Sequence, residues 1–252
     1  MSGDFQIVCE IEPATTPDLK RVRHQIGVLS RVADAFLVPD NHIGRATVSS
    51  VAVAHEVGDM GERAIACLNA RDRNVLGLRR DLLTAAAYGV EEFLLVYGDR
   101  PSAGARVDQL TVRTMIEEFR TFEAGRDFRV GVTTGLKPLP AWKQGADFCF
   151  VQIGFDVDAL QRWRDTVSFD GPVYAGVIVL ASPAMARKLT SDIADIAVPD
   201  AALSALEGDR DAGVDLACEL IDDIRATGAF AGVHLVPVGR YREIAARLES
   251  RR

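Results

Sequence analysis

Short runs of apolar and β-branched residues alternate along the chain with longer segments whose apolar residues recur at helical spacing. The pattern predicts strands over Phe5–Glu12, Ala35–Pro39, Ala64–Asn69, Glu92–Tyr97, Arg129–Thr133, Phe148–Gly154, Val173–Leu180 and Ala231–Val236. It predicts helices over Thr16–Val32, Thr47–Met60, Asn74–Gly89, Leu110–Ala124, a short Leu139–Gln144, Val157–Val167, Ala184–Ile193 with Ala201–Thr227, and Arg240–Leu248. Repeated strand–helix units predict an α/β fold with a parallel sheet closed as a (β/α)8 TIM barrel, in a single domain over 1–252.

Local signals at the helix ends agree with this arrangement. The sequence Thr15-Thr16-Pro17-Asp18 predicts a threonine N-cap with proline at the first helical position. Gly89 and Gly228 stand where helices must end before the next strand. A doubly wound open sheet would share much of the pattern, but no G-x-G-x-x-G sequence follows the first strand.

Composition narrows the class of protein. The chain has 252 residues, 48% of them hydrophobic, and a formal net charge of −7. These values are typical of a globular domain, and the acidic balance argues against a nucleic-acid partner. No apolar run approaches the roughly 18–20 residues that span a bilayer, and the N-terminal segment turns acidic before a signal-peptide core could form. We therefore expect a cytoplasmic protein with no membrane partner; the helix faces leave its oligomeric state open.

The cysteines do not form a recognisable cluster. Cys9, Cys67, Cys149 and Cys218 are widely spaced, and three of them lie in apolar, strand-like runs. This spacing favours small buried thiols over disulfides, and it lacks the closely spaced Cys or His pairs that a metal site needs. No metal site is expected.

Polar residues at the carboxyl ends of the predicted strands are the candidates for chemistry, because TIM barrels build their active sites there. Glu10 lies among Ile7, Val8 and Ile11, and an apolar environment destabilises a charged carboxylate, which favours the protonated form that a general acid needs. A structural carboxylate paired with Arg or Lys is an equally good interpretation. Glu12, two residues on, competes for the role.

Two further strand ends carry candidate binding groups. Asp99 follows Gly98 at the end of an apolar strand, where it is either a turn residue or a ligand contact. Gln152 is an amide in an otherwise apolar strand, and a buried amide needs a partner. Among the histidines, His24 and His55 are expected to be surface or packing residues of helices, and His42 is better placed in a loop.

The sequence resembles the methylenetetrahydrofolate reductase family. The similar runs are CEIEP, LNARDRNVLGLRRDLLTAAAYGVEEFLLVYGDRP, GADFCFVQIGFDVDALQRW, GVIVLASPAMARKLTSDIADIAVPD and GVHLVPVGR, which in this order cover most of the chain. The resemblance implies that Glu10 is the catalytic general acid, that Asp99 recognises the pterin near the hydride-transfer centre, and that Gln152 hydrogen-bonds the pterin. It implies reduction of 5,10-methylenetetrahydrofolate to 5-methyltetrahydrofolate, with a small-molecule folate as partner.

The departures from the family pattern concern the flavin. Relatives carry a Gly- and Ser-rich loop after strand two, where this chain has VPDNHIGRAT, and a lysine where this chain has Ala141. These departures argue against bound FAD and favour direct hydride transfer from NADH or NADPH. Arg45, Arg71, Arg73 and Lys137 are conceivable nucleotide contacts. Alternatives are an FAD- or deazaflavin-dependent reductase of methylene-tetrahydropterins, a non-catalytic folate-binding subunit, and a barrel enzyme of unrelated chemistry.

Overall fold

The computed structural model describes residues 4–193 and 196–251, and these form the predicted parallel barrel, closed in the order β1 to β8. Its strands are β1 Gln6–Glu10, β2 Ala35–Val38, β3 Ala64–Asn69, β4 Glu92–Val96, β5 Arg129–Thr134, β6 Phe148–Ile153, β7 Val173–Ile178 and β8 Gly232–Val236. The α-helices are α1 Lys20–Leu29, α2 Ser50–Asp59, α3 Val75–Tyr88, α4 Val112–Thr121, α5 Val157–Thr166, α6 Pro183–Asp192, α7 Asp200–Gly208, α8 Ala212–Thr227 and α9 Tyr241–Glu249. The predicted fold class is therefore confirmed.

The strands divide the core into an inner and an outer layer, because successive side chains point to opposite faces of the sheet. The inner cluster consists of residues that alternate along the strands, namely Val8, Ala35, Leu37, Ile65, Cys67, Leu94, Phe148, Phe150 and Tyr174. The outer cluster packs the other strand face against the helices, as with Ile26 of α1 and Leu82 of α3, both fully buried. Positions two residues beyond the inner cluster consequently reach the mouth of the barrel.

Polar pairs lie at the opposite, N-terminal end of the barrel. Arg63 donates to both carboxylate oxygens of Glu92 at 2.7 and 2.8 Å, and the Tyr174 hydroxyl donates to Gln6 Oε1 at 2.7 Å. Strand β1 pairs there with β8, Gln6 opposite Gly232, which closes the sheet. Polar side chains at this end bind one another, so they serve the barrel's closure.

The predicted helix ends are confirmed in two places and wrong in one. Gly89 and Gly228 follow α3 and α8 with φ of 70° and 63°, the left-handed conformation expected of a C-terminal glycine. The threonine N-cap at Thr15-Thr16 is wrong, because α1 begins at Lys20. The Val48 amide donates to the Ala14 carbonyl at 2.8 Å and ties the chain just before these threonines to the following loop, and Asp18 accepts from the Lys20 amide at 2.9 Å.

Two predicted helices differ from those observed. The segment Ala201–Thr227 is broken into α7 and α8, because Asp209 accepts a hydrogen bond from the amide of Asp211 at 2.8 Å and forms a turn. The short segment Leu139–Gln144 forms a 3₁₀ turn over Ala141–Gly145. Both predictions were wrong because they relied on apolar spacing alone. In the first segment a side-chain hydrogen bond ends the helix, and in the second the connection is short.

Candidate functional site

A cavity of about 580 Å³ opens at the carboxyl ends of the strands. Glu10, Asp99 and Gln152 all contribute to its wall, together with apolar residues of the inner cluster such as Leu37, Cys67, Leu94 and Phe150. The barrel thus brings together three candidates that are separated by 89 and 53 positions in the sequence. A mostly apolar cavity with a few convergent polar groups is the usual form of a small-molecule site.

Glu10 is the last residue of β1, and its side chain is 17% exposed. Val8, two positions earlier on the same strand face, belongs to the inner cluster, so strand alternation brings Glu10 to the floor of the cavity. Its Oε2 atom lies 3.2 Å from Nε2 of His234 on β8. The carboxylate is therefore placed to exchange a proton with a ligand in the cavity or with this histidine.

Asp99 lines the cavity and also fixes a neighbouring loop. Its Oδ2 accepts a hydrogen bond from the Ile43 amide at 3.0 Å, which joins the loop after β4 to the loop after β2. The Ser102 amide makes a second link to the Gly44 carbonyl at 2.8 Å. Gly98 has a φ of 91°, a turn that favours glycine and lets the chain reverse at the end of β4. Asp99 thus combines the turn role and the cavity position that the sequence left as alternatives.

Gln152 lies near the end of β6 and is partly buried. The register between β6 and β7 shifts between Phe150 and Ile153, the stretch that carries this glutamine. Such irregularities re-aim side chains next to active sites. Gln152 faces the cavity from the side of Gly135, whereas the inner residue Phe150 lies two positions below it.

A network of buried charges supports the wall between β2 and β3. Arg73 Nη1 donates to Asp40 Oδ2 at 2.7 Å, and their side chains are only 12% and 7% exposed. Asn69 donates to Asp40 and to Asp72, each at 2.8 Å, and Asn74 caps α3 by accepting from the Gly77 amide. The D-R-N sequence therefore has a structural function: it holds the loop after β3 in place. Arg73, one of the conceivable nucleotide contacts, is occupied by this network.

Burial shifts the pKa values of two ionisable side chains in the cavity wall, Cys67 and Lys143. Burial, reinforced by the charges of Glu10 and Asp40, raises the pKa of the Cys67 thiol well above its usual value and keeps it neutral. Burial lowers the pKa of Lys143, whose Nζ donates to the Thr133 carbonyl at 2.6 Å. Lys143 was not predicted as a site residue, because it lies in a 3₁₀ turn and not at the end of a strand. Its position shortly after β5 was the only feature of the sequence that could have placed it at the barrel mouth.

The other candidates fall into two groups. Glu12 is ion-paired with Arg21, and its amide is bound by Gln25 at 3.0 Å, so it does not share the position of Glu10 in the cavity wall. His42 lines the cavity rim. His24 contacts Arg242, and His55 stacks on Tyr88, which confirms the surface and packing roles expected of them.

The four cysteines are buried and free. Within 4–193 and 196–251, no group of three His, Cys, Asp or Glu side chains is arranged to hold a metal ion. Over the same residues, every helix is too short or too polar to traverse a bilayer.

The fold and the cavity define a (β/α)8 barrel whose C-terminal mouth carries the carboxylates of Glu10, Asp40 and Asp99 and the amide of Gln152. Residues 141–250 match the family model of methylenetetrahydrofolate reductase, which confirms over this segment the resemblance found in the sequence. The matched segment includes Gln152 and His234, while Glu10 and Asp99 lie outside it. No curated protein sequence matches the chain.

Solved structures share the fold at low sequence identity. An uncharacterized protein from Clostridium thermocellum that binds two copies of 5-methyl-5,6,7,8-tetrahydrofolic acid has a TM-score of 0.66 at 12% identity, over 98% of this chain and 95% of that one. EDTA monooxygenase (EmoA) from Chelativorans sp. BNC1 has a TM-score of 0.56 at 11% identity, over 98% and 94% of the two chains. DmoA from Hyphomicrobium sulfonivorans has a TM-score of 0.52 at 10% identity, over 98% and 87%. At these identities the similarity establishes the fold.

Proposed function

We propose that the protein reduces 5,10-methylenetetrahydrofolate to 5-methyltetrahydrofolate, with NADH or NADPH as the hydride donor and without a bound flavin. The main support for this proposal is that Glu10, Asp99 and Gln152 line the same cavity. These are the residue types and positions that the family resemblance assigns to the acid and to pterin recognition. The match to the reductase family over residues 141–250 supports the same function.

Asp99 and Gln152 would recognise the substrate. A pterin edge presents adjacent N–H donors and a carbonyl acceptor, and a carboxylate and an amide are planar groups that can meet both. Asp99 Oδ2 already binds the Ile43 amide, so Oδ1 is the oxygen available for the pterin. The apolar residues around them, such as Leu94 and Phe150, exclude water from the ring faces.

Glu10 would supply the proton. Transfer of its proton to the bridging folate nitrogen breaks the carbon–nitrogen bond of the five-membered ring and leaves a methylene-iminium cation. Hydride from the reduced nicotinamide then adds to the methylene carbon, so one proton and one hydride convert the methylene group to a methyl group. The Asp99 carboxylate would stabilise the intervening cation, and such stabilisation is strongest in a water-poor site.

The loop after β2 offers poor support for a flavin. Its turn at His42–Gly44 uses its own amides: Ile43 donates to Asp99, Gly44 to the Asn41 carbonyl and Arg45 to the His42 carbonyl. These backbone donors are therefore not available to a diphosphate. A side chain on Gly44 would overlap the carbonyl of Arg100, which shows how closely the loop packs on its neighbour. The backbone N–H donors of this loop therefore do not fit the diphosphate of a flavin. This supports direct hydride transfer from the nicotinamide to the folate.

A folate-binding subunit without catalytic activity is the main alternative. The Clostridium thermocellum protein that shares the fold binds a reduced folate, which supports a folate as the ligand in either case. The two functions differ in their need for Glu10. A protein that only binds has no use for a mostly buried carboxylate at the floor of the cavity, so the position of Glu10 favours the enzyme.

Replacement of the proposed acid tests the function. Glu10→Gln preserves the shape of the side chain but removes the proton, so we expect folate binding to persist while turnover falls by about 10²–10⁴-fold. NADH consumption and folate binding would be measured on the same preparations. Glu12→Gln is the matched control, because Glu12 pairs with Arg21 away from the cavity wall, and its turnover should stay near that of the wild type. Normal turnover by Glu10→Gln would exclude Glu10 as the acid.

A further inference from the structure

His234 is an ionisable side chain of the cavity wall that contacts Glu10. Its Nε2 lies 3.2 Å from Glu10 Oε2, and the two side chains are 14% and 17% exposed. The imidazole stacks on Phe150 with ring centres 5.1 Å apart and an angle of 26°. Strand pairing fixes the contact from both sides, because His234 is opposite Val8 on β1 and Gly176 on β7.

The buried Nε2 atom has no well-aligned hydrogen-bond partner among the described residues. The 3.2 Å distance to Glu10 is within ion-pair range, but the two groups do not form a hydrogen bond. A buried polar atom without a partner is costly unless a proton, a ligand or water meets it. The imidazole lies close enough to the Glu10 carboxylate for a proton to pass between them, so the contact is suited to proton exchange.

We propose that His234 is a positioning residue that shares a proton with Glu10 and returns one to it after each turnover. The inference rests on the proposed function and deepens it. After Glu10 has protonated the folate nitrogen, its carboxylate faces the imidazolium of His234. The Nε2–H bond breaks as the carboxyl O–H bond forms, and solvent in the cavity then reprotonates the neutral imidazole.

Other ionisable side chains face the same cavity as the pair. They are Asp40 and His42 from the β2 strand end, Cys67 from β3, Asp99 from the β4 loop, and Lys143 from the 3₁₀ turn after β5. Strand β7 contributes the uncharged Gly176 beside His234. These groups are common to the wild type and the variants below, so a change confined to His234 isolates its own contribution.

The pH dependence of turnover tests the inference. Without His234, the Glu10 carboxylate has no adjacent side-chain donor to restore its proton, and donors in solution become scarcer as the pH rises. We therefore expect His234→Gln to shift the alkaline limb of the kcat profile down by at least about one pH unit, which is about tenfold in rate on that limb, while folate binding stays near the wild-type level. His55→Gln is the control, because His55 stacks on Tyr88 at the protein surface, and its profile should match that of the wild type.

A rescue experiment separates proton exchange from packing. His234→Ala leaves a space beside Phe150 that added imidazole can occupy, and we expect imidazole to restore turnover at alkaline pH, whereas a small non-basic aromatic does not. An unchanged alkaline limb in His234→Gln, or no rescue by imidazole, would overturn the inference while leaving the reductase function intact. Absence of turnover in the wild type would instead overturn the proposed function and the inference with it.

Discussion

Glu10 owes its candidate role to its place on β1. Val8 fills the barrel interior, and the next residue on the same face stands at the cavity floor, where His234 meets it. Glu12 has the same chemistry but lies beyond the strand and pairs with Arg21. Two carboxylates in one short segment thus acquire different roles from strand geometry alone.

Asp99→Asn separates the charge of this residue from its role in the loop. The amide oxygen can still accept from the Ile43 amide, so the loop should keep its conformation, but the negative charge near the developing cation is lost. We expect kcat for methylenetetrahydrofolate to fall by at least about tenfold with little change in thermal unfolding. Steady-state kinetics and a melting curve on the same sample measure both quantities. An unchanged kcat would limit Asp99 to holding the loop.

The sequence was sufficient to identify some residues of the site but not others. Glu10 and Gln152 could be placed because each interrupts an apolar strand near its end, where alternation decides the direction of a side chain. The contact between Asp99 and Ile43 spans 56 positions and has no local signal. Likewise, only closure of the barrel brings His234 on β8 next to Glu10 on β1.

At the scale of elements, the barrel interior depends on complementary small and large residues on adjacent strands. Gly131 on β5 faces Phe148 on β6, and a side chain at Gly131 would overlap the aromatic ring. Phe148 is almost fully buried, which leaves the ring little room to move. A glycine in this strand is therefore required for packing.

Gly131→Ala tests this packing. Because the added methyl group must displace Phe148, we expect the free energy of unfolding to fall by about 1–3 kcal/mol. Gly27→Ala is the matched control: Gly27 lies in α1 with open space around the new Cβ, and replacement of a helical glycine should stabilise the protein by roughly 0.5–1 kcal/mol. Urea unfolding of both variants measures the two effects. A Gly131→Ala variant as stable as the wild type, or more stable, would contradict this packing.

Element types were predictable from periodicity, whereas several element ends were not. The strand β3 has the predicted bounds, and the other strands differ by a few residues at their ends. The break between α7 and α8 depends on one side-chain hydrogen bond at Asp209, which apolar spacing does not record. The start of α1 depends on where the loop above β1 is tied to Ala14, a long-range contact.

For the whole molecule, the buried thiols couple stability to alkaline pH. Burial raises the pKa of Cys9 to about 12 and the pKa values of Cys149 and Cys218 to about 11. A thiol in the unfolded chain has a pKa of about 8.5. Between that pH and the raised values, the unfolded state binds fewer protons than the folded state, so stability must fall as pH rises.

We expect the free energy of unfolding to be independent of these thiols below about pH 8 and to fall above about pH 8.5, by about 1.4 kcal/mol per pH unit for each thiol. Urea unfolding at a series of pH values measures the slope. A Cys218→Ala variant should show a shallower fall than the wild type. An identical slope in the two proteins would show that the Cys218 thiol is not protected by the fold.

The proposed reaction transfers hydride from a nicotinamide to a folate iminium in the barrel mouth without a flavin. The most direct measurement combines the absorption spectrum of the purified protein with NADH or NADPH consumption in the presence of methylenetetrahydrofolate and no added flavin. We expect a colourless protein, formation of 5-methyltetrahydrofolate equal to the nicotinamide consumed, and intersecting initial-rate lines, because both substrates must be bound together. A yellow protein whose flavin band bleaches on addition of NADH, with parallel lines, would contradict it.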